Sequence, residues 1–152
     1  MFSIQPATLG DLASLLDIET RCFATDRITQ AQFIQYLSDE ASQVMVCRHS
    51  LSNEITAYLV AFTRPRKSAR YARVYSIATK PEWHGYGMAK ALWQYLIESC
   101  RKRGIGHIGL QVNCSNPAAI GLYTHLGFEL IRTLHAYYED GADAYYMRAA
   151  AN

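Results

Sequence analysis

Gly85 and Gly87, in the stretch Ser76 to Ala91 (SIATKPEWHGYGMAKA), are the residues whose type and spacing point most directly to chemistry. An apolar, β-branched run gives way there to a glycine-containing loop that opens a helix. The first N–H groups of a helix lack intrahelical partners and the macrodipole leaves that end partly positive, so phosphates bind there. Glycine lets the backbone take unusual dihedrals and approach a ligand closely. The same pattern also suits a surface turn capping an ordinary helix. Two familiar phosphate motifs fit badly: no Gly-Lys-Ser/Thr follows, and Lys90 stands where a dinucleotide GxGxxG has its third glycine. The basic run Arg64, Arg66, Lys67 and Arg70, beside Pro65, marks a loop. It is either a solvated face or a patch for the phosphates of a cofactor or for an acidic substrate. Cys22, Cys47, Cys100 and Cys114 show no C-x-x-C spacing, which argues for four buried or half-buried thiols and against a zinc site or redox pair.

Composition bounds what these residues can belong to. The 152 residues are half apolar, enough for one continuous core, so a single domain over 1–152 is expected. A net charge of +2, from 15 basic and 13 acidic side chains, is too balanced for a nucleic-acid or membrane-surface partner. No apolar run reaches the roughly 18 residues of a membrane span. The N-terminus has no basic start and apolar stretch of a signal peptide, so a cytoplasmic location is expected.

The elements that must position the loop follow from periodicity. Phe2 to Gln5 alternates as a strand. Thr8 reads as the cap of a helix running to about Cys22, with Leu12, Leu15, Leu16 and Ile18 buried and Asp11, Asp17 and Glu19 left to solvent. Phe23 to Ile28 is a linker that could sit near a substrate. Thr29 caps a second helix with a stripe of Phe33, Ile34 and Leu37. Val44 to Cys47 and Thr56 to Phe62 form a hairpin through Ser50, Ser52 and Asn53. Tyr71 to Thr79 is the strand feeding the loop, and Met88, Leu92, Tyr95 and Leu96 stripe a helix ending near Gly104. His107 to Val112, Phe128 to Thr133 and Ala144 to Ala149 read as strands, and Asn116 to Leu126 as a helix stopped by Gly127. The order β, α, α, three strands, α, β, α, β, β is mixed, which predicts an α+β sheet rather than a doubly wound one. Tyr137, Tyr138, Tyr145 and Tyr146 suit either an acceptor groove or cross-strand packing, with one member of each pair facing inward.

Two motifs resemble the Gcn5-related N-acetyltransferase (GNAT) family, which moves an acetyl group from acetyl-CoA to an amine. One is His84-Gly85-Tyr86-Gly87-Met88-Ala89, matching the family's Gln/Arg-x-x-Gly-x-Gly/Ala after a strand. The other is QVNCSNPAAIGLYTHLGF, Gln111 to Phe128, matching its strand followed by Asn-x-x-Ala, Leu-Tyr and Gly-Phe. The opening TLGDLASLLDIETRCF and closing YYEDGADAYYMR make the chain most similar to RimI-type enzymes, which modify protein N-terminal amines. The resemblance implies a mostly antiparallel central sheet flanked by helices, with a splayed strand pair forming the acetyl-CoA cleft.

Residue by residue, the resemblance implies that Ile77, Ala78 and Thr79 offer backbone bonds to the pantetheine arm. His84, Gly85, Tyr86, Gly87, Met88, Ala89 and Lys90 hold the pyrophosphate, Asn116 contacts the cofactor, and Tyr123 protonates the departing CoA thiolate. It further implies direct attack by the amine without metal or covalent enzyme intermediate, and a protein or peptide acceptor bound by a monomer or homodimer. A small-molecule amine, or an acyl-CoA sensor without turnover, are the other readings. Two positions depart from the pattern. His84 replaces Gln/Arg: either its imidazole, when protonated, donates to a phosphate, so that pyrophosphate binding weakens above about pH 6.5, or the backbone amides carry the site. Gln111 stands where RimI-like enzymes have a glutamate base, and an amide cannot accept a proton. Glu139, Asp140 and Asp143 are the remaining candidate bases; failing them, the amine must arrive neutral. An α-amine of pKa about 7.8 and a lysine of about 10.4 differ by roughly 3.5 kcal/mol in the cost of that neutrality, which predicts a bias toward α-amines.

Overall fold

Apolar alternation and two capping signals place the elements almost where the sequence puts them. The computed structural model describes residues 1–63 and 71–151, so the basic run Arg64, Arg66, Lys67 and Arg70 lies outside the described residues. The order is β1 (Phe2–Pro6), α1 (Leu12–Cys22), α2 (Gln30–Ser38), β2 (Ser42–His49), β3 (Ile55–Thr63), β4 (Tyr71–Thr79), α3 (Met88–Lys102), β5 (His107–Asn113), α4 (Pro117–His125), β6 (Glu129–Leu134) and β7 (Ala144–Ala150). Thr29 caps α2 through a reciprocal box: its hydroxyl accepts from the Gln32 N–H at 3.2 Å, and the Gln32 side chain accepts from the Thr29 N–H at 2.9 Å. Thr8 caps a short 3-10 turn, Leu9–Asp11, which leads into α1.

The sheet runs β1-β2-β3-β4-β5-β7-β6. Every neighbouring pair is antiparallel except β4 with β5, giving the mixed, mostly antiparallel α+β sheet expected. The parallel pairing is short. Among the described residues only Tyr71, Ala72 and Arg73 meet His107, Ile108 and Gly109; beyond them the strands part, and no described strand pairs with Val74 to Thr79 on that edge. β4 is also bulged. Val60 pairs with Ser76 and Ala61 with Val74, leaving Tyr75 as the extra residue. The bulge resets the alternation: Ala72 and Val74 before it, and Ile77 after it, face the α3 side, while Ser76 meets Tyr58 on the α1 side.

Two apolar layers hold the sheet. Under α3, Met88, Leu92, Trp93 and Leu96 close on Leu59, Ile108 and Leu110; under α1 and α2, Leu15, Ile18 and Phe33 close on Val46, Tyr58 and Val60. Each such side chain contributes about 1.5–3 kcal/mol of burial. Among the described residues, the strand residues of the second layer come from β2, β3 and β4.

Asp11 and Glu19 correct the expectation of a solvent-facing polar side on α1, being only 8% and 2% exposed; Asp17 alone of the three is exposed. Asp11 accepts from the Thr8 N–H at 2.9 Å and from Arg48 at 2.8 Å. Glu19 accepts from the Ile28 N–H at 2.7 Å and from the Tyr58 hydroxyl. Helical periodicity assigns a face, but it does not see partners arriving from other elements that offset the desolvation of a carboxylate. Among the described residues no helix is long and apolar enough to cross a membrane.

Candidate functional site

Where β4 and β5 part, a cavity of about 660 Å³ opens between the end of β4, the loop before α3, the first turn of α3, and α4. The loop is tied down before it reaches the glycines. Lys80 donates its N–H to the Thr56 carbonyl at 2.9 Å. The Lys80 Nζ at 3.0 Å and the Trp83 Nε1 at 3.3 Å both donate to Glu54 Oε2. These contacts anchor the short turn Pro81–Trp83 to the β2–β3 connection. Gly85 and Gly87 then take φ of +85° and +78°, a region that favours glycine. A Cβ built on either meets nothing within 4 Å. Gly87 is the N-cap of α3 and no side chain caps that end. The first intrahelical bond runs from the Ala91 N–H to the Gly87 carbonyl at 3.0 Å, so the amides of Met88, Ala89 and Lys90 precede it.

Ile77, Ala78, Thr79, His84, Gly85, Gly87, Met88, Ala89, Lys90 and Asn116 all line this cavity; Tyr86 and Tyr123 do not. Tyr86 is 54% exposed, its ring 5.5 Å from that of Trp83. His84 places Nε2 2.9 Å from the Thr79 carbonyl; a carbonyl only accepts, so Nε2 carries the proton and the ring clips the loop to the end of β4. Asn116 caps α4 by accepting from the Ala119 N–H at 3.2 Å, with Pro117 at the first helical position. Sequence reasoning missed the third wall, Arg21, Cys22 and Phe23 at the end of α1, although the linker beginning at Phe23 carried a signal. Arg21 is held there by Glu82 at 2.5 Å, and Cys22 Sγ donates to the Thr79 carbonyl at 3.4 Å. Neither contact is visible in local pattern.

Tyr123 sits on α4, whose Ala118, Ala119 and Leu122 line the cavity, and close enough to Tyr138 of the β6–β7 connection to interact with it electrostatically. Its ring meets Phe128 edge-on at 5.7 Å, and burial, with Tyr138 nearby, pushes its phenol up to about 12. Arg73 donates to the Tyr137 hydroxyl at 3.3 Å and lies 5.5 Å over the Tyr75 ring. Tyr75 in turn packs against Phe62 at 5.2 Å and Tyr36 at 5.9 Å. In β7 the expected alternation holds: Tyr145 packs on the core, while Tyr146 lies over Gly109 and under Arg132. Among the described residues, Gln111 Oε1 is buried with no hydrogen-bond partner, as is Arg73 Nε. The tail carboxylates build the turn: Asp143 accepts from the Ala136 N–H and Asp140 from the Ala142 N–H, both at 2.9 Å, and Glu139 is exposed. All four cysteines are free, and burial pushes Cys47 up to about 12 and Cys100 to about 11, so those two stay neutral thiols.

The chain matches, over residues 12–128, the family described as the acetyltransferase (GNAT) family. Over 67 residues it is 39% identical to the ribosomal protein bS18-alanine N-acetyltransferase of Escherichia coli (strain K12), a match covering 44% of this chain and 45% of that protein. The aligned part thus spans less than half of that relative. An N-alpha-acetyltransferase of Sulfurisphaera tokodaii is 26% identical over 157 residues, covering 97% of this chain and 92% of that protein. The crystal structure of the ribosomal-protein-S18-alanine N-acetyltransferase from Escherichia coli superposes with a TM-score of 0.85 at 27% identity, covering all of this chain and 95% of the other.

Proposed function

The chain belongs to the acetyltransferase (GNAT) family, and we propose that it transfers the acetyl group of acetyl-CoA to the N-terminal α-amine of a protein or peptide. The observation that carries the cofactor half of this reading is the uncapped N-terminus of α3 facing the free edge of β4 across one cavity. A diphosphate fits amides preceded by two glycines, because those amides have no side-chain competitor and the macrodipole favours an anion. An amide-bearing arm fits an edge strand, because no described strand pairs with Val74 to Thr79 there. The cavity volume lies within the usual range for cofactor sites.

Acetyl-CoA supplies the thioester and its thiolate leaving group. The residues of the chain then divide the remaining work. The Gly85 to Lys90 segment holds the diphosphate and Ile77 to Thr79 the arm, which brings the reacting end toward the parting of β4 and β5. Tyr123 keeps its proton throughout the physiological range and offers it to the departing sulfur. Gln111 Oε1, an acceptor without a donor among the described residues, suits an N–H of the incoming amine and orients it without taking its proton. Tyr75, Tyr137 and Arg73 supply the surface on which an acceptor chain would lie.

The test is release of free CoA when the protein is mixed with acetyl-CoA and matched acceptors: peptides with free α-amines, peptides with only lysine amines, and small amines. Release with α-amine peptides is expected. Tight acetyl-CoA binding without release on any acceptor would favour a sensor, and release confined to small amines would move the acceptor class.

A further inference from the structure

Acetyl transfer to an amine leaves one proton to be placed, and Gln111 cannot take it. A buried polar chain lies beside the parting of β4 and β5 and has no part in holding the cofactor. Glu19 accepts from the Ile28 N–H at 2.7 Å and from the Tyr58 hydroxyl, and Tyr58 Oη lies 2.8 Å from Ser76 Oγ. An ionised carboxylate only accepts, so the single Tyr58 proton points to Glu19. Ser76 must therefore spend its own proton on Tyr58. Among the described residues its Oγ is then left as an acceptor without a donor. Ser76 is half-buried rather than closed off; it follows the bulged, exposed Tyr75 and precedes Ile77 of the cavity wall. The bulge is what turns this hydroxyl toward Tyr58.

We propose that Ser76, Tyr58 and Glu19 form a proton relay that serves as the base of the reaction, with Ser76 Oγ receiving the proton of the acceptor amine. The proposal rests on the acetyl-transfer reading above. As the new C–N bond forms, the amine nitrogen gives one proton to Ser76, Ser76 gives its own to Tyr58, and Tyr58 gives its own to the Glu19 carboxylate. One proton enters and one arrives; after the amide leaves, Glu19 returns it along the chain to water. Burial raises the Glu19 carboxyl above its ordinary range, opposed by the Ile28 N–H and by Arg27, so the carboxylate is a better base than a solvated one. The charged and titratable groups that face it are Tyr58 on β3, Arg27 in the α1–α2 connection and Cys22 on its own helix. The relay preserves the α-amine bias, because the same base receives the proton from either kind of amine.

A doubly bonded buried glutamate would also anchor the α1–α2 connection, so the test must separate structure from proton transfer. Ser76→Ala leaves both Glu19 partners in place. It is expected to lower kcat/KM on an α-amine peptide about a hundredfold, the lower end of a general-base contribution, with acetyl-CoA affinity and melting temperature unchanged. The pH profile is the readout that anchoring would not move. The wild type needs a neutral amine and an ionised Glu19, so log kcat/KM against pH steepens toward a slope of two on the acid side. Ser76→Ala and Glu19→Gln keep only the slope of one from the amine; should Glu19→Gln fail to fold, Tyr58→Phe makes the same comparison. A Ser76→Ala rate within threefold of wild type, or a slower variant with an unaltered acid limb, overturns the relay. Absence of CoA release by the wild type on every acceptor overturns the acetyl-transfer reading itself, and the relay with it.

Discussion

Replacing Tyr123 by Phe removes one hydroxyl and little else. Among the described residues no hydrogen bond engages that hydroxyl, and the ring keeps its edge contact with Phe128, so unfolding free energy should change by less than about 1 kcal/mol. The kinetic cost can be placed within the general acid–base range of about 10² to 10⁴. Burial holds the phenol up to about 12, which makes it a weaker acid than a free phenol. The thiol it would generate is near 8.5 by analogy with cysteine, so full transfer is uphill and the contribution is mainly a hydrogen bond to the departing sulfur. That argues for the lower end: a loss of about a hundredfold in kcat, or roughly 2.7 kcal/mol in the barrier. Steady-state CoA release with saturating acetyl-CoA and an α-amine peptide measures it, beside acetyl-CoA affinity by calorimetry. A kcat within threefold of wild type, or a loss matched by an equal fall in acetyl-CoA affinity, would refute the assignment.

Three further outcomes follow from the same geometry. Gly87→Ala forces a side chain into a φ of +78° without a clash, so denaturant melts should show a loss of about 1 kcal/mol, while acetyl-CoA affinity falls at least about tenfold because the amides shift. Gln111→Glu adds a carboxylate where an orphan amide oxygen stood, and in the Ser76→Ala background should restore kcat/KM on an α-amine peptide by about tenfold or more, because it supplies a second proton acceptor. Asp11→Asn should cost about 2 kcal/mol at neutral pH by weakening the bonds to Thr8 and Arg48. Burial opposes the Asp11 charge, but the Thr8 amide and Arg48 outweigh it and hold the carboxyl below its ordinary range. Its stabilisation is therefore present above about pH 4 and lost as pH falls through the folded value, a slope that chemical denaturation of the variant should lack.

What could be read in the sequence was whatever depends on neighbours along the chain. The strand–loop–helix around Gly85 and Gly87, the Thr29 cap and the alternation of Tyr145 and Tyr146 are local, and they fall where pattern puts them. The rest depends on partners far away in sequence. Glu19 looks like a solvent-facing residue until Tyr58 and Ile28 arrive beside it, 39 and 9 residues on. The bulge at Tyr75 inserts a residue without any glycine to announce it, and the parting of β4 from β5 is a matter of pairing between Tyr71 and His107, 36 positions apart in the chain. Arg21 reaches the cavity wall because Glu82 holds it there. The strand, loop and helix that line the cavity were thus legible in local pattern, whereas the contact of Glu19, Tyr58 and Ser76 between α1, β3 and β4 was not.

The most direct measurement uses one peptide carrying both a free α-amine and an internal lysine, incubated with the protein and acetyl-CoA at pH 7.4 and mapped by fragment mass spectrometry. Acetylation of the N-terminal residue, in excess over the lysine by a factor approaching the roughly 300-fold ratio of neutral fractions that the two amine pKa values set at pH 7.4, is the predicted result. Equal acetylation at the two amines, or acetyl on the lysine alone, would contradict the account.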